Sequence, residues 1–486
     1  MVFFDMKKEL TFALNYALNK GFQIHPEAFK ILENVDVQKL EKIIKEIVRE
    51  KTRQKLFQIN QDDLETYLGI KEDSGLQSEI KVLSDPTKKI TSGEGVKGYN
   101  ALFSSRFNKL KKIISDRPES RMLKSLAVAK SAKIEDDMYV CGLVTVKNSE
   151  RNITKLILED PSSSFEGIIF DEELRKTADT LLIDQFVMAR ISLGKNSGYI
   201  IKDLIFPDIP EQATNKSETE AYAVFLSDLH IGSKYFMEEE FTDFISWLSS
   251  PDPVARKIRF VLIGGDILDG VGIYPNQNKE LVCQTIEKQL EKVEELLDKI
   301  PKNIQIIIMP GNHDPGRRAL PQPAIPKKYN SNLWEKENVI MVGNPAMISL
   351  NGVKVLMFHG QSIDDIVKTT PGLSYNKPTD VMKHLLKGRH LSPIYGSQTP
   401  IAPEMEDLLV IEEIPDIFHV GHVHKAQLDM YKGILLVNSG SWQKQTPFQA
   451  SVGMTPNPGI ALMVNLKTFQ VFHQNYNSDL DNILQS

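Results

Sequence analysis

Val420-Gly421-His422-Val423-His424 follows a short apolar segment, 416–420, that has the composition of a buried strand. Side chains at positions i and i+2 of an extended backbone point the same way, so the two imidazoles are expected to face one spot. A His-x-His pair alone is equally compatible with an ordinary surface position. Its interpretation therefore depends on whether other polar groups also lie at strand ends.

Four more polar groups follow apolar, strand-like segments upstream of this stretch. The segments span 221–227, 260–263, 304–309 and 353–358. They run into Asp228-Leu229-His230, Gly264-Gly265-Asp266-Ile267-Leu268-Asp269, Pro310-Gly311-Asn312-His313-Asp314 and His359-Gly360. Each group alone could be a helix cap or a turn. However, open α/β sheets bind ligands at the carboxyl ends of their strands, and five of the ten histidines fall within the five groups. The sequence therefore predicts a two-metal site in an α/β domain.

The donor types narrow the choice of metal. Carboxylate, imidazole and amide oxygen ligands suit Mn²⁺, Fe²⁺ or Zn²⁺. The chain has only two cysteines, Cys141 and Cys283, so neither a disulfide framework nor a thiolate zinc site can be built within it. We expect two divalent cations, with Mn²⁺ preferred and Mg²⁺, Fe²⁺ or Zn²⁺ as alternatives.

Length and charge set further bounds. A chain of 486 residues with 41% hydrophobic and 25% charged residues should fold into several domains. Its net charge of −6 does not suit a protein that coats nucleic acid through global charge, so any polyanion must be held locally or by a partner. No apolar run approaches the length of about 20 residues that spans a bilayer, and no signal-peptide core is visible. We expect a cytoplasmic protein without membrane contact.

Periodicity and composition predict four regions. Residues 1–70 show helical spacing and predict an all-α domain, 71–102 are polar and predict a flexible linker, and 103–210 begin with a basic helix. Five strand-like segments follow that helix, with a helix-like segment after the third, as in an OB-fold β-barrel. Residues 220–486 alternate strands and helices, which indicates the α/β domain. The basic helix could contact DNA or be a solvated face, and the barrel could bind single strands or serve as a subunit platform.

The ordered set D-x-H, G-G-D, G-N-H-D, H-G and G-H-x-H resembles the calcineurin-like metallophosphoesterase superfamily, whose fold is a two-sheet α/β sandwich. The resemblance implies two metal positions that share the bridging carboxylate Asp266: one held by Asp228, His230, Asp266 and His424, the other by Asp266, Asn312, His359 and His422. It also implies that His313 protonates the leaving oxygen of a phosphate ester. Asp314 would orient the His313 imidazole.

Longer stretches resemble the small subunits of archaeal family D DNA polymerases. They are residues 228–234, 265–275, 321–325, 389–396 and 439–446. The resemblance implies a 3′→5′ exonuclease that proofreads for a separate large catalytic subunit and releases nucleoside monophosphates from single-stranded or frayed 3′ DNA ends. Substrate contacts are expected from Arg317 and Arg318 in a Pro-rich loop and from Arg389 and His390, although both pairs could simply be solvated.

Two other functions stay open. Related eukaryotic small subunits have lost metal ligands and act as scaffolds, so a catalytically silent subunit is one alternative. In this sequence every ligand position of the superfamily holds a residue that can bind metal, which favours an active nuclease over a silent scaffold. The other alternative is a phosphatase or phosphodiesterase of the same superfamily, against which the barrel and the polymerase-like stretches argue.

Overall fold

A computed structural model of the chain describes residues 2–32, 37–53, 56–68, 78–131, 137–194, 198–329, 331–451 and 453–477. The chain forms two compact units. The first comprises Met1–Gln77 with Ser250–Arg256, and the second comprises Ser78–Ser249 with Lys257–Ser486. The predicted boundary at residue 70 and residues 71–77 of the predicted linker lie outside the described residues.

The first unit is helical where it is described, as the periodicity of the sequence predicts. Its elements are α1 (Val2–Asn19), β1 (Gln23–Ile24), α2 (Pro26–Leu32), α3 (Val37–Arg53), β2 (Gln58–Ile59) and α4 (Gln61–Leu68), with β1 and β2 paired in parallel. Pro26 begins α2, where its fixed φ suits a first helical residue and its missing N–H costs nothing. Phe22, Ile44, Ile47 and Leu64 are fully or almost fully buried in the core of this unit.

The prediction of a flexible linker is wrong for residues 78–102. Strand β3 (Ile80–Ser84) pairs antiparallel with residues 347–350 at the edge of a sheet, and α5 (Gly95–Ile114) begins within the predicted linker. The sequence misleads here because the strand is only five residues long and lies in an otherwise polar stretch, and its Val82 and Leu83 are partly exposed. Its stability comes from backbone pairing with a strand that is remote in the chain.

Asp85 offers a direct test of this correction. Its carboxylate accepts hydrogen bonds from the backbone N–H of Thr87 at 2.9 Å and of Gly343 at 3.0 Å, which ties the end of β3 to a distant loop. We expect Asp85→Ala to lower the free energy of unfolding of the second unit by about 1–2 kcal/mol, because two N–H groups lose their acceptor. Urea unfolding followed by tryptophan fluorescence would measure it. An unchanged midpoint would support the linker instead.

A closed barrel follows. It comprises β4 (Leu123–Lys124), α6 (Leu126–Ser131), β5 (Met138–Ser149), β6 (Thr154–Asp160), β7 (Ser163–Ile169), α7 (Glu172–Asp179), β8 (Phe186–Leu193) and β9 (Tyr199–Ile205). The strand order is β4-β5-β6-β7-β9-β8, and β5 also pairs with β8, so the five long strands close on themselves. This confirms the predicted five-stranded barrel with a helix after its third strand.

The rest of the second unit contains two six-stranded sheets. Its strands are β10 (Tyr222–Leu226), β11 (Ile258–Gly264), β12 (Gln305–Met309), β13 (Val339–Met341), β14 (Ala346–Leu350), β15 (Val353–Phe358), β16 (Ile417–Val420), β17 (Gln427–Tyr431), β18 (Ile434–Asn438), β19 (Ile460–Asn465) and β20 (Val471–Asn475). The first sheet has the order β13-β12-β11-β10-β19-β20 and the second β17-β18-β16-β15-β14-β3. Strands β10–β13 are mutually parallel, as are β15, β16 and β18.

The two sheets pack face to face, as a sandwich requires. Phe225 and Phe260 of the first sheet share one buried cluster with Ile348, Met357 and Val437 of the second. The helices of this region are α8 (Glu238–Leu248), α9 (Ile286–Leu297), α10 (Ser331–Glu335), α11 (Ile363–Thr369), α12 (Pro378–Gly388) and α13 (Pro447–Ser451). Apolar residues of α11 and α12 pack on the second sheet. The predicted α/β region is therefore a two-sheet α/β sandwich.

The sandwich positions the polar groups. Because β10, β11 and β12 are parallel neighbours, their carboxyl ends meet at one edge of the first sheet. Strands β15 and β16 do the same in the second sheet. All five polar groups predicted from the sequence follow these five strand ends. Among the described residues, no helix is both long and apolar enough to cross a membrane.

Candidate metal centre

Histidines and aspartates from the five strand ends form three overlapping groups of potential metal ligands. The groups are Asp228/His230/His424, His230/Asp266/His313 and Asp266/His359/His422, and the donor atoms within each lie within 4.8 Å of one another. His230 belongs to the first and second groups and Asp266 to the second and third, so the three groups are connected. The described residues thus contain clusters that could bind metal.

Short distances define both ends of the cluster. At one end, His424 Nε2 lies 3.1 Å from His230 Nε2 and 3.6 Å from Asp228 Oδ1. At the other end, His359 Nε2 lies 3.3 Å from Asp266 Oδ2 and 3.0 Å from Asn312 Oδ1. Lone pairs of imidazole, carboxylate and amide therefore converge on two neighbouring points. The two ligand sets that the resemblance implies stay a prediction.

The environment of Asp228 fits a bound cation. Its Oδ2 accepts hydrogen bonds from the Ser227 hydroxyl at 2.5 Å and from the His422 backbone N–H at 2.9 Å. Its Oδ1 is buried and has no hydrogen-bond partner among the described residues. An unpaired buried carboxylate oxygen is costly unless a cation compensates it. The oxygen that faces His424 is thus available as a metal ligand.

The backbone is strained at the candidate ligands. Asp228, His230, Asp266, His422 and His424 all have positive φ, between 50° and 69°. Such left-handed conformations cost non-glycine residues of order 1 kcal/mol each and concentrate at functional sites. The observation also corrects the extended-backbone argument for His422 and His424. They follow β16 in a turn, and their side chains reach different ligand groups.

Two glycines are required by the close packing of the ligands. A Cβ atom at Gly421 would lie 2.7 Å from Asp228 Oδ2, and one at Gly311 would overlap Asp266 Oδ1. Both contacts are shorter than real Cβ atoms make, so any larger residue would displace a candidate ligand. This explains the glycine in G-N-H-D and in G-H-x-H.

Buried carboxylates favour positive charge at the His359 end of the cluster. Burial opposes protonation of His359, but the nearby Asp266 and Asp228 outweigh it and raise the pKa of His359 to about 10. Burial, together with the charge of Asp266, raises the pKa of Asp314 to about 6. The negative charge of Asp266 contributes to both shifts, and a cation bound beside it would experience the same charge.

Comparison with known proteins places the chain in a family. The family model for the B subunit of DNA polymerase alpha/epsilon matches residues 223–428. A DNA polymerase II small subunit of Archaeoglobus fulgidus is 41% identical over 386 residues, which cover 78% of this chain and 77% of that protein. The chain belongs to the archaeal DNA polymerase II small-subunit family.

Further relatives agree with this membership. The DNA polymerase II small subunit of Methanothermobacter thermautotrophicus is 36% identical over 398 residues, or 80% of this chain and 81% of that protein. The resemblance to archaeal polymerase small subunits predicted from the sequence is therefore confirmed.

Among solved structures, an archaeal phosphodiesterase matches 52% of this chain and 98% of its own, with 12% identity and a TM-score of 0.26.

In this family member, Asp314 does not orient His313 as predicted. Its carboxylate accepts hydrogen bonds from the backbone N–H groups of Gly311 at 2.8 Å and Leu268 at 3.0 Å, so it links the second and third polar groups. The His313 ring is instead held by a main-chain atom, because its Nδ1 lies 2.8 Å from the Asp269 carbonyl oxygen. This leaves His313 Nε2 facing the cluster, 3.9 Å from Asp266 Oδ2.

The prediction that Arg389 and His390 bind substrate is wrong, because both side chains are buried. Arg389 donates to the Glu412 carbonyl at 2.8 Å, and His390 Nε2 lies 3.0 Å from Asp407 Oδ2. Arg106 of the predicted basic helix reaches the same carboxylate at 2.8 Å. The stretch 389–396 is thus a structural element between α5, the barrel and the sandwich.

The two arginines of the Pro-rich loop differ. Arg317 pairs with Glu404 at 2.5 Å and also donates to the Pro321 carbonyl, so it anchors the loop. Arg318 is exposed and makes no hydrogen bond or ion pair with the rest of the described chain. Gln322 of the same loop donates to the Gly311 carbonyl at 3.0 Å. Of the predicted pair, Arg318 alone stays a candidate for substrate contact.

Sequence reasoning assigned no role to Asp269, which lies at the end of the second polar group. Its Oδ1 lies 3.2 Å from His230 Nδ1 and accepts a hydrogen bond from Gln443 at 3.0 Å. Its backbone carbonyl faces His313. Asp269 therefore positions one candidate ligand and one candidate proton donor. Its place three residues after Asp266, directly beyond a strand end, was the available signal.

Proposed function

We propose that this protein is the proofreading subunit of a two-subunit DNA polymerase and hydrolyses DNA in the 3′→5′ direction at the metal centre. The observation that carries the proposal is the complete donor set around Asp266, which takes part in two ligand groups. Membership in the DNA polymerase II small-subunit family supports DNA as the substrate. The products would be nucleoside 5′-monophosphates and a shortened strand with a free 3′ hydroxyl.

The donor set fits two divalent cations, and we propose Mn²⁺ for both. Asp228, His230, Asp266 and His424 would hold one, and Asp266, Asn312, His359 and His422 the other. Bound there, such ions activate a water and neutralise charge on the phosphoryl oxygens. The protein contributes a rigid arrangement: every ligand histidine but His422 has at most 6% of its side chain exposed.

His313 is the proposed proton donor to the leaving 3′ oxygen. The Asp269 carbonyl fixes its ring, and the side chain remains 17% exposed, so substrate can reach it. Burial, with the nearby His230, holds the pKa of His313 below its ordinary value. A lowered pKa makes the imidazolium a stronger acid but also reduces the fraction of His313 that is protonated at neutral pH.

A large catalytic subunit is the proposed partner, and single-stranded or frayed 3′ ends are the proposed substrate. The names of the curated relatives, small subunits of a polymerase, support this partner. The acidic net charge of −6 is consistent with a complex in which the partner supplies much of the contact to duplex phosphates.

The proposal is tested with the purified full chain, Mn²⁺ and single-stranded DNA labelled at its 5′ end. A ladder that shortens from the 3′ side, and that EDTA abolishes, is the expected result. Intact DNA combined with stable binding to a large polymerase chain would favour the scaffold function. Rapid release of phosphate from small phosphomonoesters without DNA cleavage would favour a phosphatase.

His313→Gln should separate proton transfer from metal binding. We expect the cleavage rate to fall by about 10²–10⁴-fold, the usual contribution of a positioned acid or base. Mn²⁺ affinity should change little, since His313 is assigned to neither metal position. Single-turnover cleavage and Mn²⁺ titration measure the two quantities. A variant that cleaves at the wild-type rate would exclude His313 as the proton donor.

A further inference from the structure

One carboxylate at the edge of the metal centre belongs to none of the ligand groups. Asp364 follows His359 by five residues, at the start of α11, and its Oδ2 lies 3.1 Å from His422 Nε2. The groups of potential ligands among the described residues do not include Asp364. Its contact with the cluster is therefore made through the imidazole of His422.

His422 is the candidate ligand that most needs such support. Its side chain is 15% exposed, against 0% for His359, 3% for His230 and 6% for His424. Packing therefore restrains the His422 ring less than the others.

The contact determines which nitrogen of His422 can bind a metal. An ionised carboxylate only accepts hydrogen bonds, so the Nε2 atom beside Asp364 must carry the proton. The lone pair is then on Nδ1. His359 shows the opposite arrangement: its Nδ1 lies 2.9 Å from the Gly264 carbonyl oxygen, and its Nε2 faces Asp266. Outer hydrogen bonds of this kind set the tautomer and orientation of metal-binding histidines.

We propose that Asp364 is a positioning residue that holds His422 with Nδ1 directed at the metal position shared with Asp266 and His359. The inference rests on the proposed metal-dependent function. The Tyr375 side chain also lies near Asp364. One connection, residues 359–364, thus supplies both a ligand and the support for a second ligand at the same metal position.

Asp365 provides a matched control. It is the next residue in α11, but its carboxylate accepts hydrogen bonds from the Ser397 hydroxyl at 2.7 Å and from the backbone N–H of Gln398 at 2.9 Å. It stabilises a loop and makes no contact with the ligand groups. Asp365→Asn therefore reports how far general loosening of this segment affects metal binding.

The test is calorimetric titration of the full chain with Mn²⁺, without DNA. We expect Asp364→Ala to weaken one of two binding steps by about 10–100-fold and leave the other unchanged. Asp364→Asn, which keeps an acceptor oxygen, should recover part of the loss. Asp365→Asn should lower the melting temperature of the metal-free chain but keep both Mn²⁺ affinities.

Wild-type affinity at both steps in Asp364→Ala would overturn the inference. So would equal losses in the Asp364 and Asp365 variants, since they would show that only general loosening is at work. A wild-type chain that binds Mn²⁺ but does not cleave DNA would defeat the proposed nuclease while leaving the role of Asp364 intact. A wild-type chain that binds no Mn²⁺ would overturn both.

Discussion

Asp266→Asn is expected to abolish exonuclease activity, lowering the cleavage rate by at least about 10³-fold. Asp266 is the residue that the two proposed metal positions share. Its Oδ2 lies 3.3 Å from His359 Nε2 and 4.0 Å from His230 Nε2. An amide has one carbonyl oxygen and no charge, so the variant cannot serve both positions. Loss of the shared ligand should therefore remove activity rather than reduce it.

The same substitution should preserve the fold. Asparagine matches aspartate in volume, and its oxygen can still accept the hydrogen bond from the His313 backbone N–H, which is 2.8 Å long in the wild type. Single-turnover cleavage of 5′-labelled single-stranded DNA measures the activity, and thermal unfolding checks the fold. Asp380→Asn, on α12 and outside the ligand groups, is the control and should keep wild-type activity. Substantial cleavage by Asp266→Asn would mean that the site is misassigned.

Asp407→Asn is expected to lower the free energy of unfolding by about 3–5 kcal/mol, the range for breaking a buried ion pair. Arg106 and Asp407 both have 0% of their side chains exposed and pair at 2.8 Å. Arg106 also donates to the Pro393 carbonyl at 2.6 Å. Without the carboxylate, a guanidinium would remain buried with no counter-charge, and several donors would lose their acceptor.

The neighbouring His390 donates a hydrogen bond to Asp407 but supplies no counter-charge at pH 7. His390 Nδ1 accepts from the Ser392 backbone N–H at 3.1 Å, so its Nε2 carries the proton donated to Asp407. Burial, with the nearby Arg106, lowers the pKa of His390 to about 4, and the ring is neutral at pH 7. Arg106 is thus the one charged partner of Asp407 in this network, which places most of the predicted loss on that pair.

The pH dependence of the loss has a definite sign. Burial opposes the charge on Asp407, but the hydrogen bonds donated by His390 and by the charged Arg106 outweigh it and hold the pKa of Asp407 well below its usual value. A carboxylate with a depressed folded-state pKa stabilises fully above its unfolded pKa of about 3.9 and progressively less below it. The difference in stability between wild type and Asp407→Asn should therefore be greatest near neutral pH and shrink below about pH 4.

Chemical unfolding of the full chain at pH 7 and at lower pH measures both expectations. Glu166→Gln, which breaks an exposed pair with Lys155, is the control and should leave the unfolding midpoint unchanged. The double variant Arg106→Met/Asp407→Leu removes both charges and should recover much of the lost stability. If Asp407→Asn is as stable as wild type, stretch 389–396 is not the structural element described above.

Sequence reasoning was most successful where a local pattern has a local cause. An apolar run that ends in a polar group marks a buried strand followed by a loop, and all five strands that carry the candidate ligands were found in this way. The strands of the barrel were found through a different local pattern, the alternation of apolar and polar residues in short segments. Apolar periodicity marks helix starts less well: it extends back to Val282, which is exposed, whereas the Thr285 side chain caps α9 at Ile286.

The failures share a different cause. From the sequence, Arg389 and His390 are expected to be exposed cations. The fold instead buries them beside Asp407, Arg106 and Glu412. A sequence shows that a residue can carry a charge, but not whether the fold will bury that residue against a distant carboxylate. The same holds for Asp314 and Asp364. Each of these carboxylates follows a predicted ligand closely in the chain, but the sequence does not show which hydrogen bonds the carboxylate makes.

The sequence by itself determined the strand ends and the donor types, because spacing and side-chain chemistry are local properties. The division of His422 and His424 between two metal positions came instead from the resemblance to the superfamily. Only the tertiary structure decided that residues 80–84 are a sheet edge, that residues 389–396 are buried and that Asp364 supports His422. These facts depend on pairs of residues that are far apart in the chain. Hydrogen bonding and burial between such residues follow from how the sheets close, which local periodicity does not encode.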